Sequence, residues 1–295
     1  MVKIVSEKAP AKINLYLRVV GQRPDSYHLL DSVLVPVSLY DELALELRTS
    51  TARAVTIRCD RPEIPSDHRN LAARAAREFL DEFGIAGEIS IELRKRIPAG
   101  AGLGGGSSDA AAVLRALAAL FRIDDRDRLL KLAVGIGADV PFFIDPRPAR
   151  IAGIGEQILP LENLRRIDLV IATPPVEVAT AAIFRALTRA QWSGILDDDR
   201  GLRDLCAGEL TQALLVNDLE AVAAAQHPEI PKLKAILQDS GACAVAMSGS
   251  GGAVFGVFRN AAEAQQGADL VRERAPSAAV FAVHTVASRS ELAKL

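Results

Sequence analysis

Residues 98–109 read Pro98-Ala99-Gly100-Ala101-Gly102-Leu103-Gly104-Gly105-Gly106-Ser107-Ser108-Asp109. Five glycines fall between Gly100 and Gly106. A strand-like run precedes them and a long apolar-periodic segment follows. Glycine permits positive φ and lets a backbone approach a ligand closely. Ser107, Ser108 and Asp109 are of the type that starts a helix. A glycine-rich turn that runs into a helix N-terminus offers unpaired N–H groups and the positive end of a dipole. On physical grounds that is a phosphate site. A flexible linker is the other reading, but linkers do not usually run straight into an amphipathic helix.

The chain must supply a core around this stretch, and its 295 residues, 49% of them apolar, suffice for one large domain or two ordinary ones. The pattern restarts after Pro160, which puts a boundary near 155–160 and domains at 1–157 and 158–295. A net charge of −2 gives no push toward nucleic acid or an anionic membrane. No run of 18 apolar residues marks a membrane span. Lys3, Glu7 and Lys8 leave no apolar core for a secretory signal in residues 1–10. Cys59, Cys206 and Cys243 are sparse and scattered, which fits a reducing cytoplasm. Neither they nor His28, His68, His227 and His284 cluster, so no metal site made of protein ligands alone is expected.

Along the chain, Ile13, Leu15, Leu17 and Val19 alternate with Lys12, Asn14, Tyr16 and Arg18, which predicts a half-buried strand over 11–20. Lys12 and Asn14 point the same way. A loop follows at 21–28, then strands at 33–37, 42–47 and 55–59. A helix is expected over 70–83 and an alternating strand over 88–95. Residues 107–121 have the composition and stripe of a strong helix. Asp124 or Asp125 caps another, and residues 135–143 read as a turn into a short apolar run. The second half predicts strands at 167–173, 242–247, 253–258 and 278–286. Helices are expected at 179–190, 208–225, 229–240 and 261–274, with an acidic loop from Trp192 to Arg200. The order β, several α, β, β, α, β is that of a split βαβ layout.

Four features carry chemistry, each with a plainer alternative. Gly100-x-Gly102-x-x-Gly105 formally matches a dinucleotide fingerprint. That fingerprint asks for a buried parallel strand before it. Here the strand alternates and carries Glu92, Arg94, Lys95 and Arg96, and no Gly-Lys-Ser/Thr closes the loop as in a Walker site. A dehydrogenase using Asp124 or Asp125 for the ribose stays open at this point. Lys12 is either functional or a solvated lysine. Asp139, between Gly137 and Pro141, is either functional or a turn aspartate. Ser248-Gly249-Ser250-Gly251-Gly252 exceeds what a two-residue hairpin needs, so a phosphate or a second loop comes close to it. Tyr27 and His28 either hold a base by stacking and edge recognition or anchor their loop.

Together these stretches resemble the GHMP kinase superfamily, which includes galactokinase, homoserine kinase and mevalonate kinase. Its three motifs are matched, in order, by Lys8-Ala-Pro-Ala-Lys-Ile-Asn-Leu15, by Pro98 to Ser108 and by Met247 to Gly252. Within it, Ala11–Leu15, Gly21–His28, the triple glycine 104–106 and Gly137–Phe143 resemble the branch that phosphorylates a cytidine-diphosphate-linked alcohol. Ser26 departs from that branch's usual glycine, and Asp109 stands where asparagine or aspartate is seen. The resemblance implies an α+β, two-domain fold, with an N-terminal ATP-binding domain and a C-terminal split βαβ (ferredoxin-like) domain. The active site would lie in the cleft between them. It also implies ATP and Mg²⁺, and a small-molecule substrate carrying a cytidine diphosphate. By the same resemblance Asp139 is the general base and Lys12 its partner, and residues 98–108 bind ATP. Asn14, Tyr27, His28 and Phe184 contact substrate, and Ser248, Gly249, Ser250 and Gly251 form the third glycine motif. Nothing in the residues sets an oligomeric state.

Overall fold

A computed structural model describes residues 2–195 and 199–292. Two strands of 21 residues each, β1 (Val2–Gln22) and β2 (His28–Arg48), pair antiparallel along nearly their whole length. The break expected near residues 38–41 is absent. Asp41 reads as a loop residue, yet it sits inside β2, fully buried, because its carboxylate finds partners there. β3 (Arg53–Cys59), α1 (Leu71–Glu82) and β4 (Gly87–Arg94) form a parallel βαβ unit. β4 then pairs antiparallel with the 42–48 half of β2. As expected, β4 alternates strictly between buried and exposed. α2 (Gly105–Phe121), α3 (Arg126–Ile136) and α4 (Val140–Ile144) follow. The hairpin of β5 (Ala149–Gly153) and β6 (Gln157–Pro160), which the sequence does not announce, completes the sheet. Strand order is β3-β4-β2-β5-β6, with β1 on β2. The inner side chains of this sheet, among them Leu45, Ile89 and Ile91, pack against Phe79, Leu114, Leu117 and Phe143 of the helices.

The second sheet is antiparallel, with β7 (Asp168–Thr173), β8 (Ala244–Met247), β9 (Val254–Phe258) and β10 (Ala279–His284) in the order β10-β7-β9-β8. That is the split βαβ arrangement. Among the described residues, four α-helices lie between β7 and β8: α5 (Thr180–Ala186), α6 (Asp199–Cys206), α7 (Glu220–Gln226) and α8 (Glu229–Asp239). α9 (Ala261–Arg274) joins β9 to β10, and α10 (Arg289–Leu292) ends the described chain.

The expected helix 208–225 is a correction. Gly208 takes φ +78°, and only Glu220–Gln226 is helical. Side chains hold the preceding stretch to other backbone instead: Gln212 exchanges hydrogen bonds with Val245 N and O at 3.0 and 2.9 Å. The helix expected at 179–190 likewise stops at Ala186, before a 3-10 turn boxed by Thr188 and Gln191. The acidic loop expected from Trp192 to Arg200 lies partly outside the described residues, and helix resumes at Asp199.

β1 joins the two sheets. Ile13, Leu15 and Tyr16 share a core with Leu169, Ile171 and Phe255 of the second sheet. Leu17 N donates to Val216 O (2.8 Å), and Val19 N to Asp218 Oδ2 (2.7 Å). Both faces of β1 are therefore covered, and Lys12, Asn14 and Tyr16 are all buried rather than half-solvated. No described helix is long and apolar enough to cross a membrane.

Candidate active site

The glycine loop leaves β4 and enters α2. The helix opens at Gly105, two residues before the expected start, and its N-cap is Gly104 at φ +71° with no side-chain cap. Gly100 and Gly102 are also left-handed, at +64° and +73°. An uncapped first turn keeps its N–H groups for a ligand. Ser108 and Asp109 are not caps. They lie buried inside the helix, and Ser108 Oγ and Asp109 Oδ1 have no hydrogen-bond partner. A Cβ on Gly104 would come within 2.9 Å of the Phe143 ring and 3.1 Å of Lys12 Cγ.

The Ser248–Gly252 turn between β8 and β9 packs directly on this loop. A Cβ on Gly102 would lie 2.5 Å from Ser248 O and 3.1 Å from Gly251 O. Ala253 N donates to Ala101 O at 3.0 Å, and Ser248 Oγ donates to Gly102 O at 3.3 Å. Of the two visitors that the sequence leaves open, the second loop is the one found. Ser248 and Gly251 are spent on that contact, whereas Gly249 and Ser250 face the cleft. Asn217, which sequence reasoning missed, donates from Nδ2 to Met247 O (2.8 Å) and Gly249 O (2.9 Å). Its only signal was an Asn-Asp pair inside an apparent helix.

Lys12 of β1 also reaches the cleft. Its N–H donates to Leu103 O at 3.0 Å, and its Nζ donates to Asn14 Oδ1 at 2.7 Å. Asn14 Nδ2 donates in turn to Ser32 Oγ at 2.8 Å. The Asp139 carboxylate stands 3.9 Å from Lys12 Nζ, with its side chain 42% exposed. Burial pushes the Lys12 ammonium below its ordinary range, and Asp139 pulls the other way. Asp139 is the N-cap of α4 and makes no capping bond, so the turn-aspartate alternative does not describe it.

At the start of α2 lies a buried triad, two of whose members, Lys95 and Asp109, also line the cleft. Lys95 Nζ donates to Asp109 Oδ2 at 2.7 Å and to Asp41 Oδ2. Burial, opposed by Lys95 and reinforced by Asp41, pushes the Asp109 carboxyl up to about 7. Burial works to lower Lys95, but Asp109 and Asp41 together hold it above its usual range.

An aromatic corner adjoins the cleft through Phe184, which lines it, whereas His28 and Trp192 stand behind and do not. The His28 ring sits 5.3 Å from Phe184, tilted 32°, and 5.9 Å from Trp192, edge-on. Burial lowers the His28 pKa, which favours the neutral ring with one donor and one acceptor. Trp192 was missed, because its loop gives no periodic signal. It is fixed through Ser193, whose N–H and hydroxyl both donate to Asp218. Tyr27 lies in the β1–β2 turn with its side chain largely in solvent, 62% exposed, and does not line the cleft. Ser26 beside it takes φ +70°, the conformation that favours glycine.

A cleft of about 480 Å³ gathers Lys12, Asn14, the glycine loop, Asp139, Phe184 and Ser250. A slightly larger hollow, about 530 Å³, lies on the uncovered face of the first sheet among Lys8, Glu42, Glu92 and Arg94. Its charges are mixed in sign and no glycine backbone faces it, so the smaller cleft is the chemical one. That cleft can hold a polyphosphate on backbone N–H groups, with a carboxylate and an ammonium opposite.

Comparisons with known proteins agree with this chemistry. Family models described as the GHMP kinases N terminal domain and the GHMP kinases C terminal match residues 70–145 and 202–277. A 4-diphosphocytidyl-2-C-methyl-D-erythritol kinase from Anaeromyxobacter dehalogenans is 44% identical over 276 residues, which is 92% of this chain and 86% of that one. A crystal structure of a 4-(cytidine 5'-diphospho)-2C-methyl-D-erythritol kinase matches with TM-score 0.81 and 35% identity, covering 95% of this chain and 99% of that one. A homoserine kinase from Cytophaga hutchinsonii has TM-score 0.75 at 19% identity, covering 97% and 95%, and shares the fold.

Proposed function

The chain belongs to the GHMP kinase family, with ATP as phosphate donor, and from that premise we propose the reaction, its residues and its substrate. The protein transfers the γ-phosphoryl group of ATP to the 2-hydroxyl of 4-diphosphocytidyl-2-C-methyl-D-erythritol, a step of the non-mevalonate route to isoprenoid precursors. The observation that carries this reading is the meeting, in one cleft, of the glycine loop with the Lys12–Asp139 pair, 3.9 Å apart.

Phosphoryl transfer is mostly positioning and charge stabilisation. Residues Pro98 to Ser108 cradle the phosphates through backbone N–H groups and the opening of α2. Asp139 accepts the proton of the attacking hydroxyl. At 3.9 Å from Lys12 its carboxylate keeps lone pairs for that hydroxyl. Lys12, steered by Asn14, orients Asp139 and balances charge that develops on the transferring group. Asn14 reaches the substrate hydroxyl only with the valences left by Lys12 and Ser32. His28 and Phe184 receive the cytosine, with Tyr27 closing on it from the solvent side. Gly249 and Ser250 wall the phosphate end.

Mg²⁺ arriving with ATP would supply positive charge against the phosphates. The residues fit such a cation: Ser108 Oγ is a buried oxygen without a partner at the helical end of the loop. The division into 1–157 and 158–295 and a cytoplasmic location are further parts of the proposal. The three free cysteines suit a reducing compartment.

A coupled ADP-release assay over a panel of alcohols tests the reading. The cytidylylated methylerythritol should turn over, and homoserine and mevalonate should not. Equal turnover of homoserine would sink the substrate assignment and leave the kinase assignment standing.

A further inference from the structure

Lys95 precedes the glycine loop and Asp109 follows it, 14 residues on. The lysine therefore joins the residue that follows β4 to the second turn of α2, across the loop. The same ammonium holds Asp41 of β2, whose other oxygen accepts from Arg96 N (2.6 Å) and Ile97 N (2.9 Å). Lys95 N itself donates to Asp60 Oδ1 at 2.9 Å. All three charged side chains are buried, at 6%, 0% and 4% exposure for Lys95, Asp41 and Asp109. A second observation comes from the loop. A Cβ on Gly105 would meet Lys95 Nζ at 3.2 Å and Ile97 Cγ2 at 3.0 Å, so the ammonium lies directly against the first helical residue.

The physics gives this arrangement a purpose. A buried ion triad is a weak source of stability, because the cost of desolvation rivals the attraction. A glycine-rich loop, in contrast, has much conformational freedom to lose. Donors aimed at a phosphate are effective only when their positions are fixed beforehand. We propose that Lys95 is a positioning residue: held between Asp41 and Asp109, it staples the two ends of the glycine loop together and presets its N–H groups for a triphosphate. This rests on the reading of residues 98–108 as the ATP loop.

The test is isothermal titration of Lys95→Met with ATP and, separately, with inorganic tripolyphosphate, which engages the loop without a nucleoside. Both affinities should fall together by about 10²-fold, the scale of a roughly 1 Å misplacement. The KM for the alcohol should stay unchanged. A loss for ATP with tripolyphosphate binding intact would mean that Lys95 touches the nucleoside, and would overturn the staple. A lower Tm with both affinities intact would overturn it as well, leaving a structural role only. Should Lys95→Met fail to fold, Asp109→Asn and Asp109→Leu decide. Asn keeps an acceptor for Lys95 and should recover most of the tripolyphosphate affinity lost in Leu; equal affinities in the two refute the staple. Failure of the unaltered protein to bind either ligand would remove the ATP-loop reading itself, and this inference with it.

Discussion

The two ends of the cleft are built from different materials. At the end proposed for the phosphates, backbone meets backbone: a Cβ on Gly102 would strike Ser248 O and Gly251 O, and Ala101 is hydrogen-bonded to Ala253. At the end proposed for the base, rings meet rings: His28 leans on Phe184 and Trp192, and Tyr27 stands in solvent. Where the backbones pack as closely as at Gly102 there is no room for a side chain and no rotamer to change, which suits a group that is the same in every turnover. Ring contacts can be exchanged one side chain at a time. A family that keeps one phosphate donor and varies its alcohol needs that division. Mutations can break this contrast: damage at the phosphate end should be all-or-none, and damage at the base end graded.

The largest effect should come from the chemistry itself. Asp139→Asn should bind ATP normally and lose kcat by roughly 10²–10⁴-fold, the usual worth of a general base. Near-full kcat would remove Asp139 from that role. Gly102→Ala comes next. Its Cβ would fall 2.5 Å from Ser248 O, a contact no real Cβ makes, on backbone at φ +73°. The two loops must separate, and kcat/KM for ATP should drop about 10²-fold. An alanine variant with intact ATP kinetics would show that the loop contact is slack, and the contrast between the two ends would fail.

Effects at the base end should be smaller and confined to substrate KM. Base–aromatic stacking contributes roughly 1–3 kcal/mol. Phe184→Ala should therefore raise the KM for the cytidine substrate, leaving kcat and the KM for ATP alone. Tyr27→Ala should act in the same direction but less, since Tyr27 is 62% exposed. A fall in kcat in either variant, with KM unchanged, would mean that the base end also sets the chemistry.

The same contrast explains what could be read from the sequence. The phosphate end was legible because backbone function demands glycine, and glycine leaves an unmistakable composition at 100–106 and 248–252. Lys12 and Asp139 were legible once motifs on three segments were taken together. Asp41, Asn217 and Trp192 were not. Asp41 looks like a loop breaker until its three donors are known, and those come from residues 95–97. Asn217 lies in an apolar-periodic run that tertiary hydrogen bonds pull out of helix. Burial of the polar face of β1 was also invisible, because alternation reports the strand and not what a second sheet lays over it.

The smallest expected effect bears most closely on the flexible end. Ser26 occupies a left-handed position, φ +70°, in the turn that carries Tyr27. A non-glycine residue there costs roughly 1–2 kcal/mol. The turn is nevertheless closed by Arg23 N to Tyr27 O at 2.8 Å and Ser26 N to Arg23 O at 3.0 Å, so the strain is held by local bonds. Ser26→Gly relieves the strain in the folded state but also frees the unfolded chain, and the two terms oppose. Thermal unfolding should therefore shift by only a few degrees. Substrate KM should change less than twofold, because the turn geometry suits glycine equally well. A larger rise in KM would show that the serine's restriction, and not the ring alone, holds Tyr27 in reach of the base, and would move this turn from the graded end of the cleft toward the rigid one.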